Sequence, residues 1–212
     1  VKLVTGGALT LFLCTSAVAE NFKADVWADN WFALYANGSL VGQDRISINT
    51  EKSFNAESFT FTAERPFMLA LIAKDFKEND TGLEYIGTRK QQMGDGGVIL
   101  QIKDARGRLV AVSDRDWRCK VIHEAPLHKS CAKERNPRVG EGPCGFKASK
   151  PPRGWTAEYF DDSDWPYAKE YKKRHVRPKD DYKKVDWHRK AEFIWGPDLR
   201  TNNTMLCRLK VR

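Results

Sequence analysis

Gly154-Trp155-Thr156-Ala157-Glu158-Tyr159-Phe160-Asp161-Asp162-Ser163-Asp164-Trp165-Pro166-Tyr167-Ala168 is the stretch from which the fold is read. Two tryptophans bracket a run of Asp and Ser that Pro166 closes. Asp161, Asp162 and Asp164 are turn and capping residues, because short carboxylates accept hydrogen bonds from nearby backbone N–H groups.

Working outward, the residues on both sides read as short strands. Ala28-Asp29-Asn30-Trp31-Phe32-Ala33-Leu34-Tyr35-Ala36-Asn37-Gly38-Ser39-Leu40-Val41-Gly42 contains alternation from Phe32, an Asn37-Gly38 turn and a resumption at Leu40, the strongest short-range hairpin signal. Phe59 and Phe61 share one face of a strand at residues 58–62. Beyond Pro66, residues 67–73 form a continuous apolar run that suits a strand buried on both faces. Residues 98–102 and 109–112 flank a second hairpin at Asp104-Ala105-Arg106-Gly107, and residues 191–195 and 204–211 complete the set. Short strands separated by turn signals predict an all-β sandwich.

Three pieces of this pattern resemble one family. The Trp155 to Ala168 stretch, the Ala28 to Gly42 hairpin and the strand entry Gly96-Gly97-Val98-Ile99-Leu100-Gln101-Ile102 are together similar to galactose-binding-domain-like jelly-roll modules. Such modules occur as accessory domains of α-rhamnosidases and β-galactosidases. The resemblance implies an all-β jelly-roll β-sandwich with long polar loops, makes Trp155 and Trp165 structural plugs, and implies sugar recognition. Residues 120–150 lie outside it.

The chain has 212 residues and a net charge of +8. Lys2, the apolar residues 3–13 and Ala17-Val18-Ala19 read as a secretory signal cleaved after Ala19. Acylation at Cys14 is the competing reading, disfavoured because Leu13 precedes the cysteine. Residues 20–212 are then expected to form one β-sandwich domain, secreted or periplasmic, with a basic, disulfide-bearing insertion at about 119–153. No later apolar run reaches the roughly 20 residues a membrane helix needs.

With Cys14 removed, Cys119, Cys131, Cys144 and Cys207 remain, and an oxidising compartment favours disulfides. Cys131 and Cys144 bracket a Pro- and Gly-rich loop with little to pack, which pairs them and leaves Cys119 for Cys207. A zinc site is the alternative, but Cys-x-x-Cys spacing is absent. Residues 20–102 carry an acidic excess and residues 103–212 a basic one. A basic surface attracts acidic polysaccharide and other anionic polymers, although such charges usually just solvate a face.

The long polar loop at residues 75–97 concentrates possible chemistry, since loops of that length are usually functional or disordered. Asp75, Glu78, Asn79, Asp80, Glu84 and Asp95 bring oxygen donors close in sequence, which suits calcium as cofactor. No EF-hand spacing is present, and solvated surface carboxylates are the plainer reading. For a sugar, an aromatic ring packs against the C–H face while amides and charges bond the hydroxyls. Trp31, Tyr85 and Trp117, with Asn30, Arg89, Gln91 and Gln92, form the candidate ligand set, Trp27 and Trp187 being further platforms. His123 and His128 lie near Glu124 and admit a copper or zinc site, against the commoner reading of unrelated loop histidines. No motif joins a nucleophile to a base. The expectation is a monomeric, non-enzymatic module that binds glycan or acidic polysaccharide and no specific nucleic acid. The alternative is a structural or calcium-binding extracellular protein without a sugar site.

Overall fold

The computed structural model describes residues 18–49 and 53–212. The signal reading, including Cys14, falls almost wholly on residues 1–17, outside the described residues. In chain order the strands are β1 (Glu20–Asp29), β2 (Trp31–Ala36), β3 (Ser39–Gln43), β4 (Ala56–Ala63), β5 (Phe67–Lys74), β6 (Leu83–Glu84) and β7 (Gln92–Met93). They continue as β8 (Gly97–Asp104), β9 (Leu109–Val112), β10 (Arg118–Glu124), β11 (Lys147–Ala148), β12 (Lys169–Tyr171), β13 (Phe193–Trp195) and β14 (Asn202–Val211).

Two six-stranded antiparallel sheets result. The first runs β12-β13-β8-β1-β4 with β9 also on β8, and the second runs β11-β10-β14-β5-β2-β3. Their inner faces share one apolar core, in which Phe22, Val26 and Leu100 of the first sheet meet Phe32, Leu34, Leu69, Leu71 and Met205 of the second. Phe22 is 5.1 Å from Phe67 and 5.4 Å from Phe61, ring centre to ring centre, so aromatic contacts join the sheets. The all-β expectation therefore holds, as do the Asn37-Gly38 turn and the hairpin that joins β8 to β9. No helix among the described residues is long and apolar enough to cross a membrane.

Two elements differ from the sequence reading. β1 was not expected, because Asp25 and Asp29 interrupt its apolar pattern, yet it lies at the centre of the first sheet between β4 and β8. Asp25 is buried there because the Ser58 hydroxyl and the Gln101 amide donate to its carboxylate at 2.5 and 3.0 Å. The basic insertion also starts later than residue 119. Arg118–Glu124 is β10, in register with β14, and the irregular segment begins at Ala125.

Both expected disulfides form. Cys119–Cys207 links directly paired positions of β10 and β14, and Cys131–Cys144 closes the loop beyond β10.

The Trp155 to Ala168 stretch folds onto the outer face of the second sheet. Trp155 and Trp165 are buried there against Ala70 of β5, Ile122 of β10 and Leu206 of β14. Beneath them lies Arg208, only 1% exposed. Its Nε donates to Asp162 Oδ2 at 2.8 Å, one Nη to the Phe160 carbonyl at 3.2 Å and the other to the Trp155 carbonyl. Fork geometry and delocalised charge make Arg suited to such a buried polar knot. The acidic run thus supplies the carboxylate that neutralises Arg208 as well as turns.

Candidate functional site

Beside the plug, the outer face of the second sheet opens into a cleft of about 410 Å³. Ile72 of β5, Ile122 of β10 and Thr204 of β14 form its floor, and Ile48, Phe76 and Pro151 its walls. Asn49, Lys74, Asp75, Lys77, His123 and Ser149 are the polar residues that border it. Adjacent strands therefore present apolar side chains to a space bordered by hydrogen-bonding groups, the usual constitution of a small-ligand site.

The charges around the cleft are organised. Lys74 Nζ lies 4.9 Å over the Trp31 ring, which leaves its N–H donors for another partner. Lys77 Nζ is 2.6 Å from Asp80 Oδ1. His123 places Nε2 3.0 Å from the same oxygen and Nδ1 3.0 Å from Asn203 Oδ1, with its ring stacked on Phe146. Burial, then Lys77, pushes the imidazole pKa down, against the opposing pull of Asn203 and Asp80. Asp80 is held below the usual carboxylate range chiefly by its bond from Lys77.

The six oxygen donors of residues 75–97 separate into two groups. Asp80 is committed to Lys77 and His123. Asn79 Oδ1 accepts from the Thr81 N–H and hydroxyl at 2.9 and 2.7 Å, and the exposed Glu78 accepts from the Ile86 N–H at 2.9 Å. Asp75 instead lies in the electrostatic field of Glu84, Asp95 and a fourth acid, Asp29, which the sequence reading does not include. Asp29 ends β1 opposite Gly97 of β8, while Asp75 follows β5. The two strand ends are clamped together: Asn30 N–H donates to the Lys74 carbonyl at 2.8 Å, and Phe76 N–H donates to Asn30 Oδ1 at 2.6 Å.

Asp29 and Asp75 are each 2% exposed. Asp29 Oδ2 and both oxygens of Asp75 have no hydrogen-bond partner. Burial is the main reason both pKa values stand well above the ordinary carboxylate value, and the neighbouring acids add to it. Gly94 makes room for the cluster, since a Cβ there would lie 1.9 Å from Asp75 Oδ2. Among the described residues no three His, Cys, Asp or Glu side chains already close into a metal-binding group.

The expected ligand set does not converge on one surface. Trp117 is fully buried and donates its indole N–H to the Val112 carbonyl at 2.8 Å, which makes it a core residue. Asn30 is likewise buried, as the clamp just described. Trp31 is half-buried under Lys74, and Tyr85 is half-buried. Gln91 donates to the carbonyls of Ala132 and Glu134 at 3.1 and 2.8 Å, tying the loop to the disulfide-bearing segment. Gln92 donates to Glu84 Oε2 at 2.8 Å, and Arg89 is exposed. Of the other platforms, Trp27 is in the core and Trp187 stacks on Tyr182.

A second, shallower groove of about 580 Å³ is basic, with Lys169, Arg174, Arg177 and Arg200 around Tyr171 and Asp198. The cleft was missed in the sequence because its floor is drawn from strands far apart in the chain. Its only early signal was the uninterrupted apolar run of β5, whose outward residues needed a partner. Comparison with family models, curated proteins and solved structures finds no match to this chain.

Proposed function

We propose that the protein is a secreted, non-enzymatic module that binds an acidic saccharide chain in the cleft beside the Trp155–Trp165 plug. The observation that carries this reading is the apolar floor of Ile72 and Ile122 beneath Lys74, Lys77, Asn49 and Ser149. A pyranose has a C–H face that suits such a floor and hydroxyls that suit such a rim. The Lys74 ammonium favours a ring that carries a carboxylate over a neutral one, while Lys77 is already paired with Asp80. Two disulfides fit an oxidising compartment. The resemblance to sugar-binding jelly rolls supports the same reading.

Isothermal titration with an oligogalacturonate and with a neutral oligosaccharide of equal length tests it. The acidic chain is expected to bind more tightly, and Lys74→Ala to weaken it roughly tenfold, about 1.4 kcal/mol. Absence of binding by both chains would reject the reading. Binding lost in Arg174→Ala/Arg177→Ala but intact in Lys74→Ala would move the site to the basic groove.

A further inference from the structure

We propose that Asp29, Asp75, Glu84 and Asp95 form a binding site for Ca²⁺ that fastens the ends of β1 and β5 to the loop at residues 75–97. Asp75 also lines the cleft, yet the inference does not rest on the saccharide reading, because cation binding and saccharide binding are read in independent measurements. It starts from two carboxylates, each 2% exposed, that retain oxygens without a hydrogen-bond partner. A buried charge without a partner is costly, so such groups are paired, coordinate a metal or give up the charge.

Pairing with a side-chain cation is weak here. Lys179 attracts Asp29 electrostatically, but its Nζ lies 4.3 Å over the Phe54 ring and the neighbouring acids oppose it. Protonating one carboxyl removes its charge and supplies one O–H donor, which can join at most two of the three unpartnered oxygens of Asp29 and Asp75 and leaves the third open. A divalent cation answers both needs, since it neutralises charge and occupies lone pairs.

The donor chemistry selects the ion. The charged groups that act on Asp75 are the carboxylates of Asp29, Glu84 and Asp95, and His123 is already engaged by Asp80 and Asn203. Zinc and copper prefer nitrogen and sulfur, while Mg²⁺ demands near-octahedral geometry and keeps its waters. Ca²⁺ accepts about six to eight oxygens in flexible arrangements, including backbone carbonyls. Glu84 belongs to the short β6–β7 pair and Asp95 follows it; both carboxylates act electrostatically on Asp75, and Glu84 Oε2 also accepts from Gln92 Nε2 at 2.8 Å.

The test uses the exported chain stripped with chelator at pH 7. Tb³⁺ replaces Ca²⁺ as a luminescent probe, and Trp195 is placed to sensitise it, because a Cβ on Gly96 would lie 2.4 Å from its ring. Tb³⁺ luminescence displaced by Ca²⁺ is expected. At Ca²⁺ about a hundredfold above Kd, the melting temperature should rise by roughly 5 to 10 °C. Asp75→Asn should abolish both signals. Asp95→Asn, at a half-buried position that folding tolerates better, should weaken binding at least about tenfold, about 1.4 kcal/mol. No Tb³⁺ signal and no thermal shift in the parent would overturn the site, as would Asp95→Asn binding Ca²⁺ as tightly as the parent. An equal thermal shift with Mg²⁺ would overturn the choice of ion.

Discussion

Arg208 and Asp75 are both charged, both nearly inaccessible to water, and they lie in opposite situations. Arg208 donates to a carboxylate and two backbone carbonyls under the Trp155–Trp165 plug, whereas neither carboxylate oxygen of Asp75 has a partner. The first is a finished polar network, closed by residues that the chain itself supplies. The second is a group of acids that donors of the chain leave incomplete. Burial alone therefore does not distinguish scaffold from site; the account of partners does.

Arg208→Ala provides the largest expected effect. It leaves Asp162 and two carbonyls without their donor, and the variant should lose about 3 to 5 kcal/mol in urea unfolding, as breaking a buried pair usually does. Trp165→Ala should cost about the same by opening a cavity over β14. A parent-like midpoint in both variants would break the comparison, since the plug would then not be structural.

Asp75→Asn should act in the other direction when chelator is present. It replaces a buried carboxyl without partners by an amide that can donate to the neighbouring acids, so stability should rise by about 1 to 3 kcal/mol. With Ca²⁺ added, the parent should overtake the variant. Thermal melts of both proteins with and without Ca²⁺ read this crossing directly, and a variant that is less stable in chelator would contradict it.

These two regions also show how far the sequence could be read. The Trp155 to Ala168 stretch announces a plug because its aromatics and turn residues are contiguous, and the cysteine pairing was legible from the loop between Cys131 and Cys144. Arg208 was invisible, since nothing local marks an arginine in a terminal strand as buried. The acids of residues 75–97 were visible as a cluster, but their separation was not. Backbone direction sends Asp80 to Lys77 and Asp75 inward, and only strand pairing brings Asp29 from β1 to join it. Trp117 reads as a platform in the sequence because its hydrogen bond to Val112 leaves no trace in composition or spacing.

Asp44 offers an intermediate case, with one oxygen bonded and the other not. Oδ1 accepts from the Ile46 N–H at 2.8 Å, while Oδ2 has no partner. Burial raises its pKa to about 6. The folded state thus keeps a proton that the unfolded chain releases near pH 3.9. Stability from this group is present below that pH and declines as pH rises through about 6. The decline should amount to about 1 to 2 kcal/mol after allowance for solvent screening. Urea melts at pH 4 and pH 7 should show that difference shrinking in Asp44→Asn, and an unchanged difference would assign it elsewhere.

Arg89→Ala should have the smallest effect and is the control for the whole comparison. Its side chain is exposed on the loop at residues 75–97, and it contributes neither to the cleft nor to the buried acids. Surface changes of this kind stay within about 0.5 kcal/mol. Saccharide affinity, Ca²⁺ response and unfolding midpoint should all match the parent, although arginine is a good partner for an acidic sugar in general. If Arg89→Ala instead lowers saccharide affinity as much as Lys74→Ala does, the ligand reaches the loop tip as well as the floor of Ile72 and Ile122. The recognition surface would then be drawn by long-range charge, and the apolar cleft would lose its claim to select the ligand.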